Sequence, residues 1–146
     1  MPDVRGVRLA TAAAKIRYRG RDDLLLVEFD PGTVVAGVFT RSSTAAAPVL
    51  WSRSVTDRGY ARALLVNSGN ANAFTGVQGM RDVEASAAAA AGAIGCRPTE
   101  LLIASTGVIG EPLPVDRITV VLPDMKSQLK AGSWQAAARA IGTTDT

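Results

Sequence analysis

Five consecutive alanines, Ala87 to Ala91, lie inside the stretch Asp82 to Ile94, and no other feature limits the fold of this chain as much. Alanine has the highest helix propensity and almost no side chain. The run therefore predicts a helix with a bare face that a sheet or a second helix can approach closely. Asp82 falls in its N-cap region and Gly95 at its C′ position, which bounds the helix to 82–94. Such a helix belongs in a core, so the remaining question is what packs on it.

Apolar runs at regular intervals supply the answer. Val7 to Ala14 reads as a strand, Lys15 to Tyr18 continues it in extended form, and Arg19-Gly20-Arg21-Asp22 is a turn. Asp23 to Phe29 carries Leu24-Leu25-Leu26-Val27, enough apolar side chains for a strand covered on both faces. Asp30-Pro31-Gly32 then turns the chain, with proline fixing φ and glycine accepting positive φ. Thr33 to Thr40 is rich in β-branched residues and is expected to pair antiparallel with the preceding strand. The first forty residues thus read as a meander. Pro48 breaks regular structure, and Trp51 to Ala61 reads as a short helix. Ala63 to Val66 is a buried strand. Beyond the alanine helix, Pro123 divides Val115–Lys130 into two helical pieces, Val115–Leu122 and Asp124–Lys130. Trp134 to Ile141 is a last helix, with Trp134, Ala137, Ala138 and Ile141 on one face and Gly142 as its stop. The sum is a single domain over 1–146, without internal repeat or linker.

Several functions are excluded by composition. The chain has no histidine, so a Ser-His-Asp triad, a Cys-His pair and most zinc sites cannot be built from it. One cysteine, Cys96, permits no internal disulfide. A net charge of +3 with only 5% aromatic residues gives little for phosphate tracking or base stacking, so nucleic acid is not an expected partner. Arg17, Arg19 and Arg21 alternate around Tyr18 and read as a solvated strand face. The longest uncharged apolar-rich run, Ala85 to Cys96, is too short to span a bilayer, and no signal pattern opens the chain. A soluble, cytoplasmic protein is expected.

Two stretches carry candidate chemistry. Leu101 to Gly110 runs from apolar residues into Ser105-Thr106-Gly107, then an apolar pair and Gly110. On local sequence alone it is a strand followed by an ordinary turn. The alternative is a strand that delivers a hydroxyl and a flexible backbone N–H to a reacting atom. Asn67-Ser68-Gly69-Asn70-Ala71-Asn72-Ala73 offers three asparagines around Ser-Gly, which reads either as a capped turn or as a set of paired donors and acceptors.

Four blocks in order settle how these stretches are read together: Ala36–Thr40 leading to Ala45–Val49, then Asn67–Ala73, then Ser105–Gly110, then Ala140–Thr146. In register they resemble the glutamate N-acetyltransferase (ornithine acetyltransferase) family of arginine biosynthesis, over nearly the whole chain. Phe74 stands where a cysteine is frequent, and Gly142 where a methionine is usual. The resemblance implies an α/β fold, a layered helix–sheet–sheet–helix sandwich that is incomplete without a second chain. It implies a precursor that cuts itself into α and β chains, assembling as α2β2, with the β chain's N-terminal threonine as nucleophile. The α-amine of that threonine, with an ordinary pKa of about 7.7–8.0, then serves as base in place of histidine. The implied reaction moves acetyl from N-acetylornithine to glutamate through an acetyl-threonine ester, with no metal or cofactor, acetyl-CoA serving some members as donor. By motif match, Thr106 and Gly107 form the oxyanion hole, and Thr143, with Thr144 beside it, contacts substrate. The Asn67–Asn72 loop supports the site from behind.

The family's nucleophile motif, a Met-Ala-Thr-Met-Leu-like stretch, does not occur in the 146 residues. The chain therefore reads as the N-terminal part of an α chain, inactive alone. Without its complement it is expected to leave sheet edges and apolar faces open and to associate or aggregate. Two other readings stay open: a related N-terminal-nucleophile aminopeptidase or hydrolase, and a non-catalytic scaffold.

Overall fold

The computed structural model describes residues 2–142. Four strands form one sheet in the order β1-β2-β3-β4: β1 (Val7–Ala12), β2 (Leu24–Phe29), β3 (Ala63–Asn70) and β4 (Leu101–Val108). The first two pairings are antiparallel, and β3 and β4 run parallel. A parallel pair needs a long crossover, and the alanine helix provides it. That helix is α2 (Gly76–Ile94), between α1 (Ala47–Thr56) and three short helices, α3 (Val115–Thr119), α4 (Leu122–Ser127) and α5 (Trp134–Ile141).

The sheet is covered on both faces, as the leucine run of β2 requires. Leu24, Leu26, Leu65, Leu101 and Ile103 face Val83, Ala87, Ala90 and Ile94 of α2 in the main core, which Ile118, Leu122 and Met125 of α3 and α4 complete. The opposite face presents Leu9, Leu25 and Val27 to Ala137 and Ala140 of α5, with Trp134 against them. Fully burying one such leucine contributes about 1.5–3 kcal/mol, so β2, buried from Leu24 to Val27, is the strongest tie between the layers. The small α2 side chains permit the close helix–sheet approach read from the alanines.

The fold departs from several sequence expectations, each for a local reason. Thr33 to Thr40 forms no strand, only an isolated bridge from Val34 to Tyr60. β2 already pairs with β1 on one edge and β3 on the other, so no edge remains for a meander's third strand. β1 stops at Ala12, not Ala14, because the buried Asp23 carboxylate accepts the N–H groups of Ala14 and Ile16, each at 2.7 Å, and bends the chain away with Lys15 at φ 57°. Arg17 to Arg21 consequently lie off the sheet. Arg17 pairs with Glu111 at 3.2 Å, and Arg21 stacks over the Tyr18 ring.

Prolines open helices here where they were expected to break them. Pro48 sits in the first turn of α1 and Pro123 in that of α4, positions where the missing N–H costs nothing. α1 thus begins at Ala47 and ends at Thr56. The expected second piece, Asp124–Lys130, is α4, and Lys130 instead bridges Leu9 on the outer edge of β1. α2 starts at Gly76, six residues before Asp82, which is a buried mid-helix residue and not a cap. In α5 the buried residues are Ala137 and Ala140; Ala138 is exposed and Ile141 is 41% exposed. No helix of the described residues is long and apolar enough to cross a membrane.

Candidate active site

The parallel pair β3–β4 carries both candidate stretches to one end of the sheet. Asn67 lies opposite Ser105, Ser68 opposite Thr106 and Gly69 opposite Gly107, after which the register slips at Asn70. β3 therefore continues as strand through Asn70, so the asparagine stretch is only partly a loop.

Strand alternation divides the side chains. Ser105 shares the α2 face with Leu101 and Ile103, and its hydroxyl donates to Asn67 Oδ1 at 2.5 Å. Thr106 lies on the α5 face. It is half-buried, and among the described residues its hydroxyl has no hydrogen-bond partner. Of two adjacent hydroxyls, one holds the strands together and the other has no partner among the described residues.

Gly107 is exposed, with φ 132°. A Cβ there would stand 2.5 Å from Asn70 N and collide with the backbone of Gly69, so only glycine lets β4 run this close to β3. The backbone at Gly107, the residue after Thr106, therefore runs hard against Gly69 and Asn70 of β3.

The asparagines do the holding. Asn67 Nδ2 donates to Asn70 O at 2.8 Å, and Asn70 Nδ2 donates to the carbonyls of Glu111 and Pro112, each at 3.1 Å. Asn70 Oδ1 accepts the N–H of Asn72, whose own Nδ2 donates to Gly79 O at 2.9 Å inside the first turns of α2. Asn72 Oδ1 accepts the Thr75 hydroxyl at 2.7 Å. Backbone bonds from Ala71 N to Val108 O and from Gly110 N to Ala73 O close the frame. Asn67, Asn70 and Asn72 are all buried, and leaving any of these groups unpaired would cost about 1–3 kcal/mol. The asparagines face this framework and not an open cleft.

Ser68 is the residue that sequence reading missed. Its hydroxyl donates to Ala140 O at 2.8 Å, and it is fully buried directly across the ladder from Thr106. Arg21 adds bonds from Nη2 to Arg139 O at 3.2 Å and to Gly142 O. The C-terminal end of α5 is thus pinned one strand away from Thr106. Thr143 and Thr144 follow immediately but lie outside the described residues. The available signal was parity: Ser68 and Thr106 occupy equivalent places in two parallel strands, so both point to the α5 face.

The outer edge of β4 is closed along its first half. Trp51 Nε1 of α1 donates to Leu101 O at 2.8 Å, while the Ser52 hydroxyl donates to Ile103 O at 2.6 Å and accepts Ile103 N–H at 2.9 Å. Leu101 and Ile103 therefore turn their polar groups outward, and by alternation Ser105 is the next residue to do so. From there an open groove of about 350 Å3 extends over Ala104 and Leu102, walled by Val35 to Phe39 and by α1.

Resolved electrostatic effects lie at the other end of β4. The Arg97 side chain, then the Arg97 N–H, bonds Glu100 and holds its carboxyl below the usual range, while burial raises the Cys96 thiol. Among the described residues no three of Cys, Asp and Glu converge to hold a metal.

A model of the ArgJ family matches residues 8–146. The arginine biosynthesis bifunctional protein ArgJ of Gluconobacter oxydans is 54% identical over 100% of this chain and 35% of that protein; its counterpart in Agrobacterium fabrum is 55% identical with the same coverage. The chain spans about a third of the length of these curated relatives. Among solved structures, the ornithine acetyltransferase of Mycobacterium tuberculosis, complexed with ornithine, superposes with a TM-score of 0.93. It is 40% identical and is matched over 97% of this chain and 78% of its own. The arginine biosynthesis bifunctional protein of Bacillus halodurans gives 0.86 at 33% identity, over 97% and 74%.

Proposed function

Since the chain belongs to the ArgJ family, we propose that it is the α-chain part of an enzyme that transfers acetyl from N-acetylornithine to glutamate in arginine biosynthesis. The observation that carries this reading is the Thr106 hydroxyl, without a hydrogen-bond partner among the described residues, next to a position at which only glycine fits. Acyl transfer builds negative charge on the carbonyl oxygen, and preorganised donors at that oxygen lower the barrier because they need no reorientation as the charge appears. Thr106 Oγ1 and Gly107 N–H are the two donors. Gly107 follows Leu101, Ile103 and Ser105 in the series of outward-facing backbone groups, which supports the assignment of its amide.

The nucleophile is a threonine at the N-terminus of a separate β chain, and its own α-amine takes the hydroxyl proton. The acetyl group passes to that hydroxyl, ornithine leaves with the returned proton, and glutamate then attacks the ester in the second half-reaction. Thr143 contacts the substrate and Thr144 adjoins it; the bond from Ser68 to Ala140 supports this, because it anchors the helix leading to them next to Thr106. Relative lengths also favour two chains. The matched segment is 35% of the curated relatives yet 78% of the solved M. tuberculosis chain, as expected if that protein had been cut. In the whole enzyme the β chain contributes the second sheet of the sandwich, the assembly is α2β2 in the cytoplasm, and neither metal nor cofactor takes part beyond acetyl-CoA as a second acetyl donor.

The test is acetyl transfer from N-acetylornithine to glutamate after co-expression with the remaining two thirds of the A. fabrum relative. Thr106→Ala should lower kcat by about 10²–10³-fold while leaving the fold intact. Undiminished transfer by the variant would remove the oxyanion assignment.

A further inference from the structure

Residues 36–39 form an exposed stretch whose backbone is poorly satisfied among the described residues. Val35 N–H bonds Gly59 O and the Arg53 side chain bonds Thr40 O, but among the described residues nothing takes the N–H groups of Ala36 to Phe39. Val38 is 99% exposed and Val34 74% exposed, although both belong to a β-branched run of the kind that normally packs. This segment walls the groove over Leu102 and Ala104, and no charged residue lines that groove. One end of the groove reaches Ser105, the neighbour of Thr106.

We propose that this groove, with Val35–Phe39 as one wall, is the docking surface for an extended apolar segment of the complementary polypeptide that brings the nucleophile. The inference rests on the two-chain reading above and adds where the second chain enters. Three features single out that occupant. About two thirds of the length of the curated relatives lies outside the matched segment, so ample polypeptide exists to fill it. A group that must reach Thr106 from another chain has to approach over the Ser105 end, since the far side of β4 there is occupied by β3 and the asparagine framework. An uncharged lining selects an apolar partner, not a charged substrate or an acidic peptide. Trp51 and Ser52 already take the polar groups along the first half of the β4 edge. The occupant therefore packs side chains into the groove instead of adding a strand there, and the 36–39 backbone finds its partners in the same event.

Hydrogen–deuterium exchange on the 146-residue chain, alone and with the remaining two thirds of the A. fabrum relative, tests this directly. Amides 36–39 should exchange within seconds alone and slow by at least tenfold in the complex. Val38→Asp should leave the melting temperature of the isolated chain unchanged and weaken association at least tenfold. Val120→Asp, at a position 73% exposed just after α3 and outside the groove lining, should not weaken it. Unchanged exchange at 36–39 in a formed complex, an inert Val38→Asp, or no complex at all would each overturn the inference. Protection without acetyl transfer would keep the docking surface and sink the proposed activity instead; Thr106→Ala should lose transfer with protection intact.

Discussion

The Asn67–Asn72 framework and the Val34–Thr40 segment make opposite use of their composition. The first is polar, glycine-containing and turn-like in sequence, yet it is buried and densely hydrogen-bonded. The second is β-branched and apolar, yet it lies largely exposed, and among the described residues the N–H groups of Ala36 to Phe39 have no partner. Order here follows from whether partners exist within the chain, and side-chain polarity is a poor guide to it. Buried amides that find every partner make a rigid platform, whereas valines without a facing layer remain at the surface.

The comparison predicts a gradient of mutational effects. Gly107→Ala should be the most damaging, losing about 3–5 kcal/mol in urea unfolding, because it combines a left-handed φ with a collision against β3 backbone. If it costs under 1 kcal/mol, the close approach of β3 and β4 does not hold the platform. Asn72→Ala should follow at about 2–3 kcal/mol, since Gly79 O and the Thr75 hydroxyl lose their partner together. Replacing Val34 and Val38 together by threonine should change stability of the isolated chain by less than about 0.5 kcal/mol. A larger loss would mean that the segment packs within the chain after all.

The smallest effect concerns pH at the opposite end of β4. Arg97 holds the Glu100 carboxyl below its ordinary value, so this clamp is fully present above the unfolded-state value and fades as pH falls through the lower folded one. Both groups meet water, which keeps the contribution slight. A carboxyl-carbon titration should put Glu100 below the ordinary glutamate value, and Arg97→Ala should raise its midpoint; a midpoint that the substitution does not move would show the clamp open in solution.

Much of this architecture could be read before any coordinates. Leu24–Val27 needs cover on two faces, and five alanines promise a helix that lies close to a sheet; both hold because burial of those residues is a local property of the chain. The failures share a different cause. Thr33–Thr40 has the composition of a strand, but pairing depends on a free edge, and β3 had taken it from a point more than thirty residues away. Pro48 and Pro123 were judged as breakers because the chain alone does not say whether a proline opens a helix or interrupts one. At the candidate site, the four blocks pointed to Thr106 and Gly107 as the proposed donors, but not to the bond from Ser105 to Asn67 or to the tether from Ser68 to α5. Those roles come from parity across β3 and β4, which no single stretch contains.

The two rims of the sheet have one more consequence. Leu9 and Lys130 exchange backbone bonds on the outside of β1, and Trp51 and Ser52 stopper β4. Stray chains seeking to grow the sheet strand by strand meet a guard at Leu9 on one margin and along the first half of β4 on the other. Whatever self-association the unaccompanied chain shows should therefore be oily and reversible, through its valines, and not a step toward fibrils.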